Sequence, residues 1–304
     1  MRWLYVLMSL FVVSTVVTPT ADAQVEATSL LGRELTRPEL ADETIERHEK
    51  ALATLVERLR AHPDDADARI WLGRHLGYLG RYREAAAAFT AGHETFPDDA
   101  RFLRHRGHRY ITLRRFDDAI RDFEAGLTLI AGKPDLREPD GLPNLFNQPT
   151  GTLKTNLWYH LGLARYLTGD FVAAGEAFTA CAGLADNDDM LVAASYWLYL
   201  SLVRQSRADA ATSVLARAPL DAPLIENTDY QVLLRVFAGR ADDQERTYDA
   251  SSVSGATVAY GMGALQLATG QPEQAIQIFE VITNGTSWAA FGHIAAEAEL
   301  ARAK

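Results

Sequence analysis

Leu72, Leu76 and Leu79 fall on one face of a helix, and Gly80 follows them, where glycine can end a helix without a side-chain penalty. A second stripe, Ala85, Ala88 and Phe89, begins just beyond the turn. The pattern predicts two amphipathic helices joined by a short connection. The unit then recurs. Gly73, Ala85 and Phe89 return as Gly107, Ala119 and Phe123, each 34 residues on, and Tyr82 and Gly92 return as Phe116 and Gly126. A third copy reads Gly162, Phe171, Ala174 and Phe178, displaced by one period plus 21 residues. A fourth reads Gly263, Ala275 and Phe279. Small residues at the glycine and alanine slots let the helices approach, and the phenylalanine fills the remaining space. A larger side chain at Gly107 or Gly162 is expected to overpack that contact, at ~1–3 kcal/mol. Neither helix can bury its stripe alone, so stacked neighbours must share one core.

Stretches such as "WLGRHLGYLGRYREAAAAFTAGHETFP", "LWYHLGLARYLTGDFVAAGEAFTACAG" and "YGMGALQLATGQPEQAIQIFEVIT" resemble the tetratricopeptide repeat. The resemblance implies an all-α, right-handed superhelical solenoid of antiparallel helix pairs, with the first helix of each pair lining the concave face. Two repeats are expected at 66–133, one at 155–188 and one at 256–289. Residues 41–65 read as an N-terminal helix, 189–255 as degenerate helical repeats, and 290–304 as a capping helix polar on one side through His293, Glu297 and Arg302. Residues 24–40 are expected to be flexible. The excess of 21 residues falls in 132–154, where four prolines and three glycines predict a loop, delimited as 134–154. Its Leu142, Leu145 and Phe146 suit a loop packed on the solenoid over one end of the groove; a tolerated surface insertion is the alternative.

The N-terminus follows a different logic. Arg2, an apolar run from Trp3 to Val17, and the triplet Ala21-Asp22-Ala23 have the layout of a secretory signal over 1–23, cut after Ala23. The run is shorter than the ~20 residues of a spanning helix. The expectation is an exported chain, periplasmic or extracellular, with no membrane insertion of its mature form. Cys181 is the one cysteine, so no internal disulfide can form. It occupies the slot of Gly92 and Gly126, which predicts a buried packing thiol.

Thirty Lys plus Arg face forty Asp plus Glu, a net charge of −10. That balance argues against nucleic-acid binding. Against this background, "RFLRHRGHRY" at 101–110 concentrates four arginines and two histidines. The resemblance places it on the first helix of the second repeat. The residues expected to line a basic and aromatic peptide-binding groove are Arg74, Tyr78, Arg101, Arg104, His105, His108, Asn156, Tyr159 and Tyr166. A desolvated basic groove attracts anions, and arginine grips carboxylates with paired bonds. The expected partner is a protein or peptide offering an acidic segment or a free C-terminal carboxylate. Some members of the family hold such a carboxylate with lysines and asparagines. Here Ile70, Arg74, His105 and Asn156 stand in those places, so that form of the clamp is not carried over. The alternative for these charges is solvent exposure and pairing with Asp117, Asp118, Asp122 and Glu124. No nucleophile elbow, phosphate loop or dinucleotide fingerprint occurs, and no catalytic residue, metal or cofactor is assigned. The expected function is therefore a non-catalytic interaction scaffold in the cell envelope. Two alternatives stand beside it: an enzyme or metal protein using His105, His108 and the 132–154 loop, and a structural self-assembler.

Overall fold

A computed structural model describes residues 24–139, 144, 146–242, 249 and 252–303. The signal expected at 1–23 lies outside the described residues, as do Leu142 and Leu145. The chain is a helical solenoid of helix pairs. Helix α1 (Asp42–Ala61) precedes the pairs α2 (Ala66–Tyr78) with α3 (Tyr82–Thr95), α4 (Ala100–Thr112) with α5 (Phe116–Leu129), and α6 (Leu153–Thr168) with α7 (Phe171–Leu184). Then come α8 (Asp188–Arg204) with α9 (Ala208–Arg217), the single α10 (Thr228–Phe237), α11 (Val253–Ala268) with α12 (Pro272–Thr283), and α13 (Phe291–Arg302).

Local signals set the helix boundaries. Asp65, Asp170, Asn187 and Ser252 each accept a backbone N–H from the first turn of the helix they precede. Thr152 and Thr155 close a reciprocal capping box at the start of α6. Within the pairs the period has a steric origin. A Cβ at Gly73 would lie 2.5 Å from the Phe89 ring; at Gly107, 2.6 Å from Phe123; at Gly162, 2.9 Å from Phe178; at Gly263, 2.4 Å from Phe279. Each phenylalanine packs directly on the backbone of the preceding helix, so the overpacking expected at Gly107 and Gly162 has a physical target. Cys181 is a buried free thiol, with burial pushing its pKa up to about 12, and it lies against Met190.

Two terminal segments depart from expectation. Residues 24–40, expected to be flexible, include a β-hairpin of β1 (Val25–Thr28) and β2 (Glu34–Thr36). Its inward Glu26 accepts the Arg83 backbone N–H at 3.0 Å and pairs with Arg37, also at 3.0 Å. Strands this short carry no period to read in the sequence. The second departure is α13, read as a cap with one polar side. It is buried over most of its surface, His293, Glu297 and Glu299 included. Its polar side meets charge in place of solvent. Leu30 N–H donates to Glu297 Oε2 at 3.1 Å, and Trp288 Nε1 donates to the Thr36 carbonyl at 2.9 Å. Arg114, from the turn between α4 and α5, donates to both Glu297 oxygens at 2.6 and 3.1 Å and to the Trp288 carbonyl at 2.7 Å. The N-terminal hairpin, the second repeat and the last helix are thereby tied into one seam.

Arg114 stands one period after Gly80. Both adopt left-handed backbone, at φ 61° and 71°. The repeat turn requires that conformation, which costs a non-glycine residue ~1–2 kcal/mol. The guanidinium's contacts across the seam explain why an arginine is retained there.

Candidate functional site

Four elements converge on a cavity of about 310 Å3. Helices α2 and α4 supply Arg74, Arg104 and His105; the loop after α5 supplies Glu138, Thr150 and Gly151; α6 supplies Asn156, Tyr159 and His160. Glu226, Tyr230 and Phe291 close the far side. Glu226 is delivered by Asp189, a buried carboxylate that accepts the backbone N–H groups of Ile225, Glu226 and Asn227 at 2.8–2.9 Å. The carboxylate-rich stretch "ADNDDM" at 185–190 is thus a helix cap and a loop anchor, with Asn187 receiving the Met190 N–H.

The centre of the cavity is a carboxylate held by a mixed clamp. Glu138 Oε2 lies 2.8 Å from Arg104 Nε and 2.5 Å from Asn156 Nδ2, and its Oε1 lies 3.7 Å from His105 Nε2. The Arg104 contact is close but misaligned, leaving that buried Nε without a hydrogen bond. Arg104 Nη1 donates instead to His105 Nδ1 at 3.1 Å. Asn156 can reach in because residue 151 is glycine: a Cβ there would lie 2.6 Å from Asn156 Nδ2. His105 stacks on Phe89 with centroids 5.3 Å apart.

Behind the clamp the surroundings are positive and dry. Burial, then the nearby guanidinium groups led by Arg104, hold His105 well below its usual pKa. His108 is lowered by burial, then by Arg109. Burial and Arg104 bring His160 down to about 3, against an opposing hydrogen bond to the Asn156 carbonyl. All three imidazoles are neutral at neutral pH, so the positive charge belongs to the arginines.

The nine residues expected in the groove divide. Arg74, Arg104, His105, Asn156 and Tyr159 line the cavity, and Tyr78 and His108 join Arg74, Arg104 and His105 around an adjoining one of about 160 Å3. Two lie elsewhere. Arg101 is gripped by Asp99 and by Asp67, each at 2.6 Å, away from the cavity. Tyr166 is fully buried in the core, where Tyr260 OH donates to its hydroxyl at 2.8 Å. Arg106 makes a two-point pair with Asp122, at 2.7 Å to each oxygen. Tyr159 is an aromatic wall whose hydroxyl is engaged, accepting from Trp197 at 3.0 Å and donating to Tyr230 at 3.2 Å.

Sequence reasoning did not find Glu138, Glu226, Tyr230 or Phe291, which come from irregular or unpaired segments. For Glu138 one signal existed: it precedes Pro139 inside the insertion, a pair that favours extended backbone. The loop packs through its stem and through Glu138. Phe146, expected to pack, is 64% exposed. Among the described residues no group of three or more His, Cys, Asp or Glu side chains is placed to hold a metal ion, and no helix is long and apolar enough to cross a membrane.

Residues 72–134 match the tetratricopeptide repeat family. No curated protein matches the chain. Among solved structures it is similar to YrrB, a TPR protein with an unusual peptide-binding site, at 15% identity and a TM-score of 0.44, over 76% of this chain and 91% of YrrB. It is similar to a tetratricopeptide repeat protein from Parabacteroides merdae ATCC 43184 at 14% identity and 0.45, over 82% of this chain and 98% of that one. It is also similar to a chain of the Naa15/Naa10 assembly bound to HypK-THB at 13% identity and 0.38, over 84% of this chain and 38% of that one.

Proposed function

We propose that this chain is a non-catalytic scaffold that holds another protein by a carboxylate-bearing segment, bound in the cavity of Arg74, Arg104, His105 and Asn156. The matched repeats support a protein-interaction role in general. The observation that carries the specific reading is the seat itself. A carboxylate already rests between Arg104 and Asn156, beside neutral imidazoles and the aromatic walls of Tyr159, Tyr230 and Phe291. Those walls suit the apolar parts of a peptide, and Arg74 leaves further positive charge for a second acidic group. The secretory layout of residues 1–23 supports work in the cell envelope, periplasmic or outside the cell.

The test uses defined probes. Short fluorescent peptides, acidic and neutral, are titrated against the mature chain and read by anisotropy. Acidic peptides should bind, weaken with added salt, and lose at least about ten-fold in affinity with Arg104→Ala, the scale of one charge-assisted contact. Arg101→Ala, outside the cavity, should bind like the wild type. Equal losses in both variants, or none in either, would remove the site.

A further inference from the structure

The carboxylate in the clamp belongs to the chain itself. We infer that Glu138 is a built-in competitor, and that the partner's ligand is a glutamate side chain carried on an extended segment, which must displace Glu138 to bind. The inference rests on the carboxylate-binding reading above and specifies both the ligand and its control.

The first ground is how the loop presents Glu138. The stem is firmly held: Leu153 N–H donates to the Leu136 carbonyl at 2.8 Å, and Glu138 N–H donates to the Gly151 carbonyl at 3.2 Å. Arg137 forms an antiparallel bridge with Thr152. Asp135 accepts from Thr152 Oγ1 at 2.6 Å and from Lys154 N–H at 3.0 Å. Pro139 follows, and the residue before a proline avoids helical backbone. Glu138 therefore reaches the clamp from a short extended strand, which is how a partner peptide would offer its own glutamate.

The second ground is how poorly the resident fits. A guanidinium facing a carboxylate can form two parallel bonds. Here Arg104 Nε is close to Glu138 yet has no hydrogen bond, and His105 Nε2 stands back at 3.7 Å. Asn156 makes the one well-placed bond. The anchored backbone fixes where Glu138 can put its oxygens, and that position does not satisfy the clamp. A carboxylate arriving on a free peptide can choose its approach. The resident's other role is to give Arg104 a charged neighbour in the cavity when no partner is present. Displacement needs only a side-chain rotation toward the cavity mouth, because every tie of the stem runs through backbone or through residues other than Glu138.

The test uses the loop's own strand as the probe. A capped peptide of residues 133–139, Lys-Pro-Asp-Leu-Arg-Glu-Pro, is titrated against the wild type, Glu138→Ala and Glu138→Gln, with helical circular dichroism checking the fold of each. If the resident leaves the clamp free in about one molecule in ten, apparent affinity is reduced about ten-fold. Both variants should therefore bind the peptide about ten-fold more tightly than the wild type. A peptide with Gln in place of its Glu should bind none of them, and Arg104→Ala added to Glu138→Ala should abolish the gain. Should Glu138→Ala fail to fold, Glu138→Gln, which keeps the shape but removes the charge that holds the resident beside Arg104, decides alone. Equal binding by the wild type and the variants, still dependent on Arg104, would overturn the competitor and leave the clamp. Binding by no variant, or binding indifferent to Arg104, would overturn the clamp and the inference with it.

Discussion

Two arginine–carboxylate sites draw on α4, one from the helix itself through Arg104 and one from the turn that follows it through Arg114, and they differ in completeness. In the seam, Glu297 receives two bonds from Arg114 and the Leu30 N–H, and His293 Nε2 lies 3.2 Å from it. Its side chain is 1% exposed and that of Arg114 is 3%. In the clamp, Glu138 and Arg104 are 9% and 13% exposed, border a cavity, and leave one guanidinium nitrogen without a hydrogen bond. The seam also borders a cavity, of about 560 Å3, and leaves His293 Nδ1 without a hydrogen bond, but every guanidinium nitrogen of Arg114 is bonded, so that pair has nothing left to offer a ligand and is structural. A pair that is close, misaligned and beside open space still has binding capacity. On the proposed reading, the same two residue types build a fastener in one place and a receptor in the other, and the hydrogen bonds of the arginine distinguish them.

The largest effect should come from breaking the seam. Glu297→Gln leaves Arg114 buried against a neutral group and should cost about 3–5 kcal/mol in urea unfolding. Arg114→Gly is a sharper probe. It relieves a left-handed backbone worth ~1–2 kcal/mol and restores the glycine that Gly80 supplies one period earlier. Net loss of stability is still expected, because the contacts to Glu297 and Trp288 disappear; a gain would show that the seam is ornamental. Acid should attack the two sites at different pH. His160 titrates near 3 in the folded protein against about 6.5 unfolded, so the unfolded chain takes up its proton first. Stability is then complete above pH ~6.5 and falls by about 1.4 kcal/mol per unit below it. His105 and His108, lowered in the same sense, steepen that fall. For Glu297, burial alone would raise the pKa, but hydrogen bonds from His293 and Arg114 outweigh it and bring the carboxyl down to about 2. Its contribution is complete above pH ~4.5 and is lost only as pH falls toward 2. Amide exchange should thus show α4 and α6 beside the clamp loosening between pH 6 and 5 (the window set by His160), before the seam. The smallest effect is expected for Glu138→Gln, about 1 kcal/mol or less, because cavity water can serve Arg104 in its place.

The repeats were readable because one steric rule recurs. Each phenylalanine needs a glycine one helix earlier, and the 34-residue period repeats that requirement. The clamp was half readable for a related reason: Arg74, Arg104, His105 and Asn156 sit at fixed positions on first helices, where the period gives direction as well as place. Arg101 and Tyr166 misled because helical phase does not say which neighbour meets a side chain. Asp99 and Asp67 hold the first, and Phe171, Trp197 and Tyr260 enclose the second. Glu138 and Glu226 arrive on irregular backbone, whose course depends on tertiary anchors such as Asp189. The hairpin and the burial of α13 depend on contacts between opposite ends of the chain. One trace of the seam was visible in the sequence: Arg114 replaces a glycine in a position where the backbone favours glycine.

The most direct measurement is a pair of double-mutant cycles in urea unfolding, Arg114→Ala with Glu297→Ala and Arg104→Ala with Glu138→Ala. The expected coupling is about 2–3 kcal/mol across the seam and below about 1 kcal/mol across the clamp. Coupling of equal size at both sites would make Glu138 a second fastener and contradict the assignment of the clamp to ligand binding.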